Sequence, residues 1–321
     1  MSFRIPRLAQ LVFTAALLAF LIHIVGWREL RDALSNTQWP WLAAMYAVVA
    51  INFVMMAMCL RLQLTKAEVE VSLGRTLLAN ALANLYALVL PGDMMAGVAK
   101  WVMLSAATGQ RAKVLSALVL NKIVLALPPL LFGTIALAFE SPFPRLPVAE
   151  TSVGAAALAF ASLFLVLHPR ASRPFDRWAR AAVRVLPAAL HPKIEKLFEA
   201  LSTFRSLGAR DHIELLSLSL VVFWLGILSF FCATRALDLD VSIATLVWIS
   251  LALFVSRLLP ITFNNLGVRE GLLILALGPN QVEPARAVGL GFLMFSNTIW
   301  IGLVGAACQV AIALGWVRLR D

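Results

Sequence analysis

The chain has 321 residues, 61% hydrophobic and 14% charged, against roughly 45–50% and about 25% in an ordinary soluble domain. A water-soluble fold cannot hide that much apolar surface, which excludes a soluble enzyme or binding module. The net charge of +10 would suit nucleic acid, but the basic residues sit between apolar segments, a pattern that fits anionic lipid headgroups and not nucleic acid.

Crossing the hydrocarbon core takes about 20 largely apolar residues, and the predicted elements follow from that length. A first span is expected at 8–26: the preceding MSFRIPR imitates a signal peptide, but no small-residue cleavage site follows, so the segment reads as uncleaved. A second span is expected at 41–60, with Trp27, Trp39 and Trp41 at helix ends where tryptophan anchors at headgroups, as Trp316 does near the carboxyl end. Segment 74–108 is apolar but interrupted by Pro91-Gly92-Asp93, and reads as two short helices joined by irregular backbone. Spans at 114–138 and 151–168 come next, then a basic loop at 169–212 with nine Lys or Arg against four acids. Within that loop, residues 175–186 separate apolar from basic side chains at helical spacing, as in a helix lying on anionic lipid. A span at 213–235 precedes a second interrupted segment, 242–278, broken at Pro260 and at Asn264-Asn265-Leu266-Gly267, and a last span is expected at 286–312.

Orientation follows from charge. Arg4, Arg7, Arg61, Lys66, Arg75, Arg111, Lys113, loop 169–212, Arg318 and Arg320 belong on the cytoplasmic side, and the less basic connections at 27–40, 139–150 and 236–241 face outward. Segment 74–108 then begins and ends inside and segment 242–278 begins and ends outside, so each is expected to be a re-entrant hairpin with Pro91 or Pro260 at its tip. The fold class is therefore an all-α polytopic membrane protein with about six full spans, two re-entrant hairpins and both termini cytoplasmic. A single domain, 1–321, divides into pseudo-repeats 1–140 and 151–321 that are inverted, because each makes an odd number of crossings. Lys100 and Arg269, each nine residues after its Pro, are a trace of that duplication.

Charges at membrane depth cost at least about 2.5 kcal/mol each, so they face a cavity or a partner. Lys100, Lys122, Arg257, Arg269 and Glu270 meet that description. Two readings of Lys122 stay open, a functional cation or a side chain snorkelling to the cytoplasmic surface. Glu270 is expected to hold Arg269 as an ion pair. Irregular backbone at this depth survives only inside protein or against water, and a helix starting near Gly267 aims its amides at such a cavity. Lys100, Arg269, Asn264, Asn265 and Gly267, helped by Asn80 and Asn84, thus form an expected site for one phosphate headgroup. Cys59, Cys232 and Cys308 lie in apolar runs at no metal-ligand spacing, and neither a metal nor another cofactor is expected. Asp238-Leu239-Asp240 has the spacing of a glycosyltransferase metal motif, but two acids in a short connection read as a solvated turn.

LPGDMMAGVAKWVML at 90–104, LNKI at 120–123 and LPITFNNLGVREGLLILAL at 259–277 resemble the motifs of the lysylphosphatidylglycerol synthase transmembrane family of flippase-like proteins. The resemblance covers nearly the whole chain. The Gly267-Val268-Arg269-Glu270-Gly271 element is intact. The first motif, in which Asp93 is a further candidate site residue, has Gly97 and Lys100 where the family pattern has an acid and an arginine. Asn121-Lys122 stands where an Asp-Arg pair is usual. These departures keep positive charge and lose acids. The resemblance implies lipid translocation without the synthase half, so the expectation is a non-enzymatic inner (plasma) membrane protein that flips an anionic phospholipid or lipid-linked intermediate. A lipid-biosynthesis enzyme is a possible partner on the same grounds. The alternatives are a non-transporting accessory subunit of a lipid or envelope pathway and, last, an intramembrane glycosyltransferase, for which no acid/base pair or metal constellation is found.

Overall fold

The computed structural model describes residues 27–89, 93–140, 207–258 and 265–314. The expected spans 8–26 and 151–168, loop 169–212 up to residue 206, the breaks at Pro91 and Pro260, Asn264 and both termini lie outside the described residues. The described residues are helical with no strand. They form α1 (Trp27–Ser35), α2 (Trp39–Lys66), α3 (Leu73–Val89), α4 (Asp93–Thr108), α5 (Arg111–Phe139), α6 (Ala209–Ala236), α7 (Ile243–Leu258), α8 (Val268–Leu277) and α9 (Pro284–Ala313), with a 3-10 turn at Gly278–Asn280.

Four of these, α2, α5, α6 and α9, are long and apolar enough to cross a bilayer, and they cover the spans expected at 41–60, 114–138, 213–235 and 286–312. Their apolar windows are only 22–39% buried within the protein. In water that exposure would be prohibitive at about 25 cal/mol per Å², so lipid is their solvent. Ile51, Val102, Val221, Leu228, Leu303 and Val310 are among the large side chains facing it. Trp27 and Trp39 stand exposed at helix starts, as interfacial anchors do. Each interrupted segment is a pair of helices, α3 with α4 and α7 with α8.

α2 and α6 pack antiparallel along their length. At one end Lys66 pairs with Asp211, and at the other the Gln38 N–H donates to Ala236 O at 2.8 Å. Around them the contacts come in matched sets: α3 against α9 and α7 against α5, α4 against α5 and α8 against α9. The two long seams close on glycine. A Cβ on Gly133 would stand 2.4 Å from Leu251 Cβ, and one on Gly305 would stand 2.3 Å from the Ala81 carbonyl oxygen, so α5 meets α7 and α9 meets α3 at backbone distance.

The same turn is built at both ends of the α2–α6 pair. Glu68 and Asp238 take the left-handed conformation, at φ 58° and 54°. One residue later the Val69 N–H reaches back to Leu64 O at 2.9 Å and the Leu239 N–H to Thr234 O at 3.0 Å, the helix-ending bond pattern that normally favours glycine at the left-handed position. The chain then runs Glu68-Val69-Glu70-Val71-Ser72-Leu73 into α3 and Asp238-Leu239-Asp240-Val241-Ser242-Ile243 into α7. Ser72 Oγ accepts from the Arg75 N–H at 3.3 Å and Ser242 Oγ from the Thr245 N–H at 3.0 Å, each capping the next helix. Val69 and Val71 enter one apolar core with Leu60, Leu64, Leu104 and Val114, while Leu239 and Val241 enter the other with Leu246, Leu273, Leu277 and Leu290.

Candidate functional site

The turn geometry fixes where each hairpin starts. α3 leaves Ser72 at the end of the bundle that holds Lys66, Arg111, Lys113 and Asp211, and α4 returns there, passing through Gly109 (φ 72°) into α5. α7 leaves Ser242 at the opposite end, and α8 returns to that end, where the Val282 N–H bonds Leu277 O and both residues pack with Leu237 and Leu239. At the first end Lys113 Nζ donates to Glu68 Oε2 at 2.7 Å, which holds the Glu68 carboxyl below its ordinary range. At the second, Glu140 at the end of α5 accepts from Ser242 Oγ at 2.7 Å and from Thr245 Oγ1 at 2.5 Å.

Within the second hairpin the Asn-Leu-Gly element is a helix start. Asn265 (φ 59°) and Gly267 (φ 81°) are left-handed, conformations that asparagine and glycine adopt most easily. Asn265 Nδ2 donates to Ser256 Oγ at 2.8 Å, fastening the start of α8 to the end of α7. Glu270 Oε2 accepts from the Gly267 N–H at 2.5 Å, as an acid three residues into a helix does. The other oxygen, Oε1, accepts from Arg269 Nε at 3.0 Å and Nη2 at 2.5 Å. Both side chains are almost wholly buried, Arg269 at 5% and Glu270 at 0% exposure. The guanidinium also lies 5.5 Å from the centre of the Phe295 ring. Gly291 leaves the room, since a Cβ there would come within 2.7 Å of Glu270 Oε1. This is a neutralised, internally bonded unit.

The first hairpin is charged differently. Lys100 on α4 is half-buried. Lys122 on α5 is exposed, and its ammonium lies 4.0 Å from where a Cβ on Gly97 would stand, one turn from Lys100 on the same face of α4. Gly97 is 11 residues before the end of α4, about 16 Å of helix from the basic end of the bundle. Asn121, beside Lys122, and Asn80, on α3, are buried and leave their side-chain carbonyl oxygens without a hydrogen-bond partner among the described residues. Asn84 Nδ2 donates to Asn80 O at 2.8 Å. Asp93 opens α4, and Arg257 stands exposed in the last turn of α7.

The sequence-predicted site residues lie on both hairpins. Lys100, Lys122, Asn80, Asn84 and Asn121 belong to the half of the bundle built on α3–α5. Arg269, Asn265, Gly267 and Glu270 belong to the start of α8, where the guanidinium is turned onto Glu270 and Phe295. Sequence reasoning missed Phe295, Gly291, Ser256 and Glu140, all brought in from distant segments. It also missed the capping role of Glu270, although the Gly-x-x-Glu spacing signals one.

These features define a polytopic α-helical membrane protein with charged groups held at hairpins inside the apolar bundle. The family described as lysylphosphatidylglycerol synthase TM region matches residues 7–306, and the chain belongs to it. No curated protein and no solved structure matches.

Proposed function

We propose that the protein binds an anionic phospholipid or lipid-linked intermediate within the membrane and moves it between leaflets of the plasma membrane, without covalent chemistry. The observation that carries this reading is the Lys122 ammonium of the first hairpin, 4.0 Å from where a Cβ on Gly97 would stand. Lys100 follows Gly97 by three residues on α4, and in the second hairpin Arg269 is paired with Glu270. A headgroup phosphate in this region makes a charge-assisted contact with a lysine ammonium. The matched helix contacts and the duplicated turn support an inverted repeat, in which one hairpin opens to each face. That is the architecture expected of alternating access around a fixed midplane site. Arg269 and Glu270 act as a rigid support for the second hairpin, and Lys100, assisted by Lys122, Asn121 and Asn80, receives the headgroup.

The test is leaflet exchange of a fluorescent phosphatidylglycerol in vesicles reconstituted with the purified protein. Lys100→Gln and Gly97→Asp should each slow exchange about tenfold or more, the first by removing a cation and the second by pairing Lys122. Gly97→Ala, which adds no charge, should exchange as wild type does. Exchange equal to that of protein-free vesicles in the wild type refutes transport and favours the accessory-subunit reading.

A further inference from the structure

Away from the Lys100–Lys122 face, the structure holds a cavity of about 720 Å³ between α2, α3, α4 and α9. Its walls are apolar, including Phe53, Leu78, Leu104, Trp300 and Val304, and among the described residues its only charged lining residue is Arg75. Along α3 the lining runs from Ser72 to Ala81, about 14 Å from the basic end of the bundle towards its middle. Trp300 and Val304 are 47% and 40% exposed, so the cavity opens sideways to the surroundings of the bundle as well as at its basic end.

The duplicated turn shows what is missing from it. In the second half, the Ser242–Thr245 start of α7 holds a carboxylate from the chain itself, that of Glu140. In the first half, Ser72 and Arg75 occupy the corresponding positions, yet no carboxylate among the described residues pairs with Arg75. The corresponding end of α9 presents Cys308 and Val304 to the cavity instead. One half thus closes this place with an internal anion, and the other has a cation beside an apolar cavity of ligand size, within the range of about 300–1,000 Å³ typical of small-molecule sites.

We propose that this cavity is a lateral seat for an anionic phospholipid of the leaflet at the basic end, with its phosphate on Arg75 and Ser72 and one acyl chain along Leu78 and Trp300. An arginine beside a phosphate makes two parallel charge-assisted bonds, and the chain fills a space that water would occupy at a cost. The occupant is a lipid and not a soluble anion because the cavity behind Arg75 is apolar for its whole length. The site shares no lining residue with the Lys100–Lys122 face, so it stands whether or not lipid crosses the membrane.

The experiment reads Trp300 fluorescence, taken as the difference between wild type and Trp300→Phe, in phosphatidylcholine vesicles containing acyl-brominated phosphatidylglycerol or acyl-brominated phosphatidylcholine. At equal mole fraction the anionic lipid should quench this component with about fivefold higher apparent affinity, the preference expected of one basic residue near an anionic lipid. Arg75→Gln should abolish the preference and Arg75→Lys should retain most of it. Ala107→Phe, which fills the cavity beside Arg75 while leaving the charge, should abolish it too. Equal quenching by both lipids in the wild type, a preference that survives Arg75→Gln, or a Trp300 shielded from both lipids by another segment of the chain would each overturn the proposal.

Discussion

The two hairpins share a plan and differ in the groups set around their basic residues. Both begin at a Ser-capped helix after the same left-handed turn, and both carry a basic residue in the returning arm, Lys100 or Arg269. In the second hairpin that residue is neutralised within the chain, since Glu270 takes two hydrogen bonds from Arg269 and one from the Gly267 backbone. In the first, Gly97 stands beside Lys122 and supplies no acid. A buried charge removed from water must be paired or must face a polar ligand. The second hairpin is therefore suited to holding shape, and in the proposed function the first receives the anion.

The largest expected effect tests the rigid half. Glu270→Gln leaves Arg269 buried without its counter-ion and weakens the cap on α8, which should cost about 3–5 kcal/mol, read as a lowered unfolding midpoint in detergent. Adding Arg269→Met should recover a good part of the loss by removing the stranded charge. A Glu270→Gln protein as stable as wild type would show that the pair is not what holds the hairpin.

Next come the helix seams. Gly305→Ala drives a methyl group into the Ala81 carbonyl and Gly133→Ala drives one into Leu251. Each should destabilise by about 1–3 kcal/mol. The Gly305 change should cost more, because a backbone carbonyl yields less than a leucine side chain does. The reverse order would mean that the α3–α9 seam is the looser of the two.

The clasp at Glu140 should matter less. Glu140→Gln keeps the shape and weakens two hydrogen bonds at a half-buried site, a loss of about 1 kcal/mol. The smallest effect is at the opposite end, where the exposed Lys113 holds Glu68. Because the Glu68 carboxyl titrates below its ordinary range when folded, the pair contributes above the unfolded carboxylate range. That contribution fades as pH falls through the lowered folded value. Wild type and Lys113→Gln should therefore differ slightly in stability at neutral pH and converge in acid. A difference that grows on acidification would contradict the assignment.

Much of this was legible in the sequence because it depends on local composition. Apolar length marked α2, α5, α6 and α9, and Pro-Gly-Asp and Asn-Asn-Leu-Gly marked where 74–108 and 242–278 divide. The likeness of the two turns was readable too. Asp238-Leu239-Asp240, taken alone, is a solvated pair of acids. Set beside Glu68-Val69-Glu70, with Val-Ser after each, it is one turn written twice, with its acids outside and its apolar residues in the core. Partners from distant segments were not legible. Nothing local to Phe295, Gly291 or Ser256 ties them to Arg269, Glu270 or Asn265, because helix packing and not spacing brings them together. The placing of Arg269 against Phe295 has the same origin.

The central claim is that the hairpins open at opposite faces, and sided labelling tests it most directly. Single cysteines at Gln110, beside the base of the first hairpin, and at Gln281, beside the base of the second, are placed in a chain whose native Cys59, Cys232 and Cys308 are replaced. They are then challenged with a membrane-impermeant maleimide in intact cells and in inverted vesicles. The account predicts that position 281 labels from outside the cell and position 110 only in inverted vesicles. Labelling of both positions from the same side would contradict it.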